Sequence, residues 1–255
     1  MVQQISTIAW ITCKEAVHGK LLWVSAASVL ALIAVTELAE EVIITGVDAL
    51  QAGIVAWGLR WLGVITLALF CVNSGLRELN DKVGDLYFAA PLRREAIYLG
   101  KLLGILVLSG CFAALAFFTA LPYAPAAVAL AWATSLWMEL AIVTAFAQLV
   151  VISTSATVTS ILLTLAFYLV ARSVAALQAM ANGPFFNPRS TFDNFTVIAV
   201  DALSWVMPPL HRFASADWLV TGVTDVGLAL QLLSCLVYLF LLGSVTILET
   251  YRKQF

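Results

Sequence analysis

A glutamate inside an apolar segment is the residue of this sequence with the clearest chemical potential. Glu139 lies near the middle of the apolar stretch 126–151. A charge at the centre of a bilayer costs about 2.5–3.5 kcal/mol on insertion scales, so this side chain should face protein or water. We expect it either to line a translocation path, as a substrate-contacting or proton-linked carboxylate, or to be a protonated carboxyl group hydrogen-bonded to a neighbouring helix.

Two arginines also lie in apolar stretches. Arg60 and Arg172 fall toward the ends of the stretches 54–76 and 157–178 that we expect on the outer side. Long cationic side chains extend along apolar surface until the charge reaches water. We therefore expect both guanidinium groups at the membrane–water interface.

The residue types that bind metals or nucleotides form no recognisable constellation. The two histidines, His18 and His211, are expected on opposite sides of the membrane, and the four cysteines are scattered without a C-x-x-C pair. The sequence has no G-x-x-x-x-G-K-[ST] motif for ATP phosphates. We therefore predict no metal site, no cofactor and no catalytic residue, so that the chain is not itself an enzyme.

The composition indicates that these residues are positioned by a membrane-embedded scaffold. Of the 255 residues, 62% are hydrophobic and 11% are charged, and the mean hydropathy is +1.00. A soluble domain carries about 25% charged residues. The net charge of -2 argues against a nucleic-acid partner. We expect a single membrane domain over residues 1–255, in the inner or plasma membrane and in contact with its lipids.

Six apolar stretches are long enough to cross a bilayer, which takes about 20 residues in a helix. A helix satisfies its backbone hydrogen bonds within one segment, and these stretches lack the alternation of barrel strands. We therefore predict an all-α membrane protein with six transmembrane helices. The predicted spans are 20–37, 54–76, 100–121, 126–151, 157–178 and 226–247.

The distribution of Lys and Arg predicts the orientation, because cytoplasmic segments are enriched in both. The basic residues outside the spans concentrate in three segments that share one side of a six-span protein. The opposite side receives two segments in which acidic residues outnumber basic ones. Both termini are therefore predicted to be cytoplasmic. The basic segments are 1–19, 77–101 and the tail after 247, and the acidic ones are 38–53 and 179–225.

Two of these segments have a pattern of their own. Residues 1–19 place apolar side chains on one helical face, which predicts an amphipathic helix in the cytoplasmic interface. Residues 179–225 form a long outer loop between the fifth and sixth spans. This loop is punctuated by Gly and Pro but rich in aromatic residues, so we expect short helices or re-entrant pieces packed at the outer interface.

The most polar stretch of the chain joins the second and third spans. It reads RELNDKVGDLYFAAPLRREAIYLGK, residues 77–101. Pro91 biases Ala90 away from helix, so we predict a short helix, a turn and a second short helix along the membrane surface. An element with apolar side chains amid charges suits docking on a soluble partner. The apolar residues are Leu86, Tyr87 and Phe88.

The residue order of this stretch resembles the first cytoplasmic loop of ABC type-2 permeases. That loop commonly opens with Arg and Glu, continues with Gly-Thr-Leu and Pro-x-Ser/Gly-Arg, and closes with Tyr-x-x-Gly-Lys. Asp85 in place of Thr, and Arg93 in place of a small residue, are departures from it. The corresponding residues here are Arg77-Glu78, Gly84-Asp85-Leu86, Pro91-Leu92-Arg93-Arg94 and Tyr98-Leu99-Gly100-Lys101.

The layout of the whole chain is also similar to this family, most of all to the permeases associated with multicopper-enzyme and nitrous oxide reductase maturation. The resemblance implies that residues 77–99 form a coupling segment that binds an ABC ATPase subunit. ATP and Mg would then sit on two copies of that partner. The residues implied in the contact are Glu78, Gly84, Asp85, Leu86, Pro91, Arg93 and Arg94.

Further partners follow from the same resemblance. Such transporters have two membrane halves, so a second copy of this chain or a similar permease is implied, and an outer accessory protein is a further candidate. The implied function is a permease subunit, of the exporter type, that couples ATP hydrolysis elsewhere to substrate movement or mechanical work. An ion-coupled secondary transporter, a membrane enzyme and a structural membrane subunit of a larger complex are the alternatives.

Overall fold

Helices make up almost all of the part of the chain that the computed structural model describes, which is residues 2–42, 47–80, 94–181, 191–222 and 227–252. We number the α-helices in chain order. They are α1 (Val2–His18), α2 (Leu21–Val42), α3 (Val47–Asn80), α4 (Arg94–Ala120), α5 (Ala126–Thr154), α6 (Thr157–Ala181), α7 (Thr191–Val206), α8 (Ala216–Thr221) and α9 (Leu228–Arg252), with a 3₁₀ turn at Leu210–Arg212.

Five of the described helices, α3, α4, α5, α6 and α9, are long and apolar enough to cross a membrane. The prediction of an all-helical protein with several membrane-spanning helices is confirmed to that extent. The sixth candidate is the pair α1 and α2, which passes the same test only together and is bent by 56°. Five spans, or six if the bent pair counts as one, are typical of a multi-pass membrane protein.

Helix α5 is the centre of the bundle. About 78% of the most apolar stretch of α5 is buried, against 17% of that of α9. Helix α5 therefore packs against helices on all sides, whereas α9 lies at the edge of the bundle. Helices α3, α4, α6 and α9 all contact α5. Two glycines of α3 allow neighbouring helices to approach it closely. A Cβ at Gly63 would lie 2.7 Å from Phe112 of α4, and one at Gly75 would lie 2.8 Å from Val151 of α5. A side chain near the middle of α5 is therefore enclosed by protein.

The predicted boundaries around the coupling segment differ from the structure. Residues 77–80 continue α3, and residues 94–101 already belong to α4, where separate short surface helices were expected. No proline or glycine falls between Leu76 and Asn80, so nothing in that stretch ends the helix. The remainder, residues 81–93, lies outside the described part of the chain.

Helix α1 packs closely against the first half of α4. A Cβ at Gly100 would lie 2.7 Å from the Cβ of Ile8, and one at Gly104 would lie 2.7 Å from the Cβ of Thr12. The Cys13 thiol donates to the Gly104 carbonyl at 3.6 Å. The glycines four residues apart thus form a flat surface that lets two helices meet at short distance.

The stretch 207–222 folds inward instead of running over the surface. Its 3₁₀ turn contacts α6, and α8 contacts α3 and α5. We call residues 207–222 the plug. Its large apolar side chains are inserted among the helices and almost fully buried. They are Leu210, Phe213, Trp218 and Leu219.

Replacing Gly104 by alanine should destabilise the protein. The new Cβ would meet the Thr12 Cβ at 2.7 Å and the Ala9 carbonyl oxygen at 3.0 Å, and neither can turn aside. Overpacking of this kind costs about 1–3 kcal/mol. We expect a lower Tm of the purified protein in detergent.

Gly53→Ala is the matched control, because a Cβ there meets nothing within 4 Å. Alanine in an open helical position should stabilise by about 0.5–1 kcal/mol. A Gly104→Ala variant whose Tm rises as it does in Gly53→Ala would contradict the close packing of α1 on α4.

A buried charge cluster as the candidate functional site

Glu139 is enclosed by two arginines from neighbouring helices. Its side chain is 0% exposed, and its carboxylate oxygens lie 3.3 Å from Arg172 Nη1 and 3.7 Å from Arg60 Nε. The phenol of Tyr168 lies against the same carboxylate. A buried carboxylate at this depth is tolerated because opposite charges compensate it.

Three helices deliver these groups to one point. Arg60 comes from the first half of α3, Glu139 from the middle of α5, and Arg172 from the last third of α6. Tyr168 lies one helical turn before Arg172, so the two side chains share a face. The ring of Tyr168 makes an edge-to-face contact with Trp61 at 5.3 Å between centroids, which fixes the phenol beside the carboxylate.

The interfacial position predicted for the arginines is wrong for Arg60. Its residue exposure is 5% and it points into the bundle. The Arg172 side chain is 24% exposed, but its Nη1 is also directed at Glu139. The physical reason is that a buried carboxylate within reach is a stronger partner for a guanidinium group than the headgroup region. We call Arg60, Glu139 and Arg172 the charge cluster.

Backbone carbonyls of the plug accept hydrogen bonds from both arginines. Arg172 Nη1 donates to the carbonyls of Leu210 at 2.5 Å and Phe213 at 2.8 Å. Arg60 Nη2 donates to the carbonyl of Ala214. Each guanidinium group thus joins a membrane helix to the plug.

A second set of hydrogen bonds holds the plug from the other side. The backbone N–H of Ala214 donates to Ser135 Oγ at 2.9 Å, and that hydroxyl donates to Gln231 Oε1 at 2.7 Å. Gln231 Nε2 donates to the Arg212 carbonyl at 2.7 Å. Ala214 has φ +42°, a left-handed backbone that a residue with a Cβ rarely adopts. The surrounding contacts keep it in that conformation.

The plug adds charged residues of both signs beside the cluster, Asp217 and Arg212. Two arginines face one glutamate in the cluster, and Asp217 of the plug acts electrostatically on Arg60. Asp217 is exposed and accepts a hydrogen bond from Ser215 at 3.1 Å. The arrangement can therefore hold a segment of chain over a buried ion pair. No metal-binding group of three or more His, Cys, Asp or Glu occurs in the described ranges.

A second cluster of polar side chains lies at the C-terminal end of α3 and the N-terminal end of α4. Lys101 Nζ lies 2.8 Å from Glu78 Oε2, with the lysine side chain 13% exposed. Glu15 of α1 accepts from Ser74 at 2.8 Å and lies 3.7 Å from Arg77. We call these five residues, which join α1, α3 and α4, the clamp.

Only two of the residues predicted to bind an ATPase lie in the described part of the chain, and the structure shows no contact between them. Glu78 belongs to the clamp, and Arg94 is the first residue of α4, with a side chain that the structure does not describe. The remaining predicted residues lie outside the described part of the chain. They are Gly84, Asp85, Leu86, Pro91 and Arg93.

Comparison with known proteins adds no assignment. No protein-family model matches the chain, and no curated protein matches it. The features of the chain that bear on its function are therefore the charge cluster, the clamp and the polar stretch 77–101.

Sequence reasoning singled out Glu139 but missed its pairing with the two arginines, and it missed the polar residues that hold the plug. Ser135 lies one helical turn before Glu139, and this spacing is a signal for a shared polar face. Gln231 lies in an apolar stretch, where a buried amide needs a partner. The plug carbonyls carry no signal of this kind, because every residue type has one.

Replacing Glu139 by glutamine should strongly destabilise the protein, because Arg60 and Arg172 would lose the one carboxylate that pairs with them among the described residues. Breaking a buried pair in this way costs about 3–5 kcal/mol. We expect a marked fall in Tm for Glu139→Gln. Adding Arg172→Gln should recover part of the loss, because it removes one uncompensated charge.

The control is Glu249→Gln on α9, which disturbs a partly exposed pair with Arg252 at 3.8 Å. Exposed pairs contribute about 0–1 kcal/mol. An equal Tm for Glu139→Gln and Glu249→Gln would sink the structural role of the charge cluster.

Proposed function

We propose that the chain is the membrane-spanning permease subunit of an ATP-driven transporter of the ABC type-2 kind, working as an exporter or as a mechanical device. ATP hydrolysis would take place on a separate subunit. The observation that carries the proposal is the clamp, which holds the two flanks of the polar stretch 77–101 against α1.

The clamp explains how a docking segment could transmit force. The last turn of α3 and the first turns of α4 are fixed to one another by Glu78 and Lys101 at 2.8 Å, and α3 is fixed to α1 through Glu15. Glu95 accepts a hydrogen bond from Tyr251 of α9 at 2.9 Å. A push on the segment between the flanks would therefore reach four helices together.

Two residues of the motif that lie in the flanks of the polar stretch have identifiable structural roles. Gly100 is one of two glycines at which α1 closely approaches α4, and Lys101 pairs with Glu78 in the clamp. Both belong to the closing Tyr-x-x-Gly-Lys of the polar stretch. A motif that fixes the geometry of a docking element, and does not merely supply positive charge, supports the coupling role.

The proposed assembly contains two membrane subunits and two ATPases. ATP binding would bias a membrane domain with two conformations, through contacts that differ between them. In this arrangement the clamp end faces the cytoplasm with both termini, and the plug end faces outside, where an accessory protein would have access. The substrate is not specified by these features.

A buried charge cluster is the one observation that favours a second candidate, an ion-coupled secondary transporter. Ionisable residues inside membrane helices commonly mark ion pathways. The two candidates differ in their need for a partner, because an ion-coupled transporter would keep full activity in the absence of any ATPase.

Co-expression of this chain with an ATPase encoded beside it should yield a complex that survives purification. Replacing residues 84–94 by a Gly/Ser linker of equal length should abolish the complex, because the docking element is lost. Co-purification and ATPase activity are the measurements. Replacement of residues 182–190, which the sequence assigns to the predicted outer loop, is the control and should leave the complex intact. A complex that survives the first replacement would rule out docking through this segment.

Exchanging the charges of the clamp tests coupling separately from docking. Glu78→Lys and Lys101→Glu should each lower the ATP-dependent work of the complex several-fold, since a like pair would replace a 2.8 Å ion pair. The double variant should restore most of it. Equal defects in the single and double variants would show that the pairing itself does not matter.

A further inference from the structure

His211 occupies the point where the plug is fastened. Its two chain neighbours supply carbonyls that hold the plug in place: Leu210 accepts from Arg172 at 2.5 Å, and Arg212 accepts from Gln231 at 2.7 Å. A change of charge on this imidazole therefore lies next to both of these hydrogen bonds, from Arg172 and from Gln231.

The imidazole has cationic surroundings and an unpartnered nitrogen. His211 is half-buried, and its Nδ1 is buried without a hydrogen-bond partner among the described residues. The charges acting on it are those of Arg212 in its own turn and Arg172 from α6. Behind Arg172 lie Glu139 of α5 and Arg60 of α3, which are paired with one another.

Among the described residues, no acidic group compensates a proton on His211. The carboxylate of Glu139 is already shared by two arginines. Asp217 of α8 acts on Arg60 and accepts from Ser215. A protonated His211 would therefore be a third cation beside two arginines.

We propose that His211 is the trigger of a proton-sensitive latch, in which protonation of its imidazole releases the plug from the charge cluster. The proposal does not depend on an ATPase partner. In the topology proposed above, the plug faces outside, so the protons would come from the outer compartment.

The direction of the pH dependence follows from linkage. Burial lowers the pKa of His211, and the charges of Arg212 and Arg172 lower it further. With the plug released, the imidazole regains an ordinary pKa of about 6.5. The released state then binds the proton more tightly, so the seated plug is favoured above about pH 6.5 and weakens as the pH falls below it.

The structure itself provides the hinges for such a movement. Pro208 and Pro209 lie at the start of the plug, which ends at Gly222 with φ +71°. Its 3₁₀ turn and α8 are closed by internal hydrogen bonds, from Phe213 N–H to the Leu210 carbonyl and from Gly222 N–H to the Trp218 carbonyl. The plug can therefore move as a unit without losing its own structure.

Distance measurements between spin labels on the full chain in nanodiscs would test the latch. The four native cysteines are replaced by alanine, and labels are attached at Val220→Cys on α8 and Val107→Cys on α4, both exposed positions outside the charge cluster. At pH 8 we expect a single distance. At pH 5 a second distance should appear, with the ratio of released to seated plug rising by up to tenfold per pH unit, as one linked proton allows.

The two histidines of the chain provide a matched pair of variants. His211→Gln should abolish the pH response, whereas His18→Gln, an exposed residue on α1, should keep it. His211→Lys carries a permanent charge and should show the released distance already at pH 8. Three results would each overturn the proposal. The first is an identical distance distribution at pH 8 and pH 5 in the protein with His211 intact. The others are a full pH response in His211→Gln and a seated plug in His211→Lys.

Discussion

The enclosure of one carboxylate by two guanidinium groups is the constraint on which the rest of this structure depends. Charges in a membrane interior are tolerated only with partners, and partners on three different helices force α3, α5 and α6 to meet at one level. The central position of α5 and the close glycine contacts of α3 both follow from that requirement. Apolar packing alone would allow these helices to slide along one another, because lipid is as apolar as their surfaces.

The same constraint explains why an irregular stretch of backbone enters the bundle. Two arginines cannot be satisfied by one carboxylate, and they require further acceptors. Carbonyls of the plug provide them, while Ser135 and Gln231 take up the polar groups that the plug brings with it. Non-helical backbone at this depth is tolerated where protein surrounds it. The plug and the charge cluster therefore satisfy each other's polar groups when the plug is seated.

Some features of the molecule could be predicted from sequence, and others could not. Long apolar runs predicted six spans and identified the five helices that are long and apolar enough to cross a membrane, because continuous length is a property that a sequence displays directly. Glu139 was found for a similar reason, since it interrupts such a run. Its pairing with Arg60 and Arg172 was not, because these residues lie far apart in the chain and either could equally have reached the interface. The resemblance to ABC type-2 permeases remains a prediction.

The separation of Arg60 from its partner has a consequence for how the chain is made. Helix α3 leaves the ribosome with an arginine in its apolar segment, and Glu139 follows only 79 residues later. Until then the guanidinium group lacks the carboxylate that pairs with it in the folded protein, and its exposure to lipid costs about 2.5–3.5 kcal/mol. Arrival of α5 removes this cost, so the position of one charge favours assembly of α3 with α5 during synthesis.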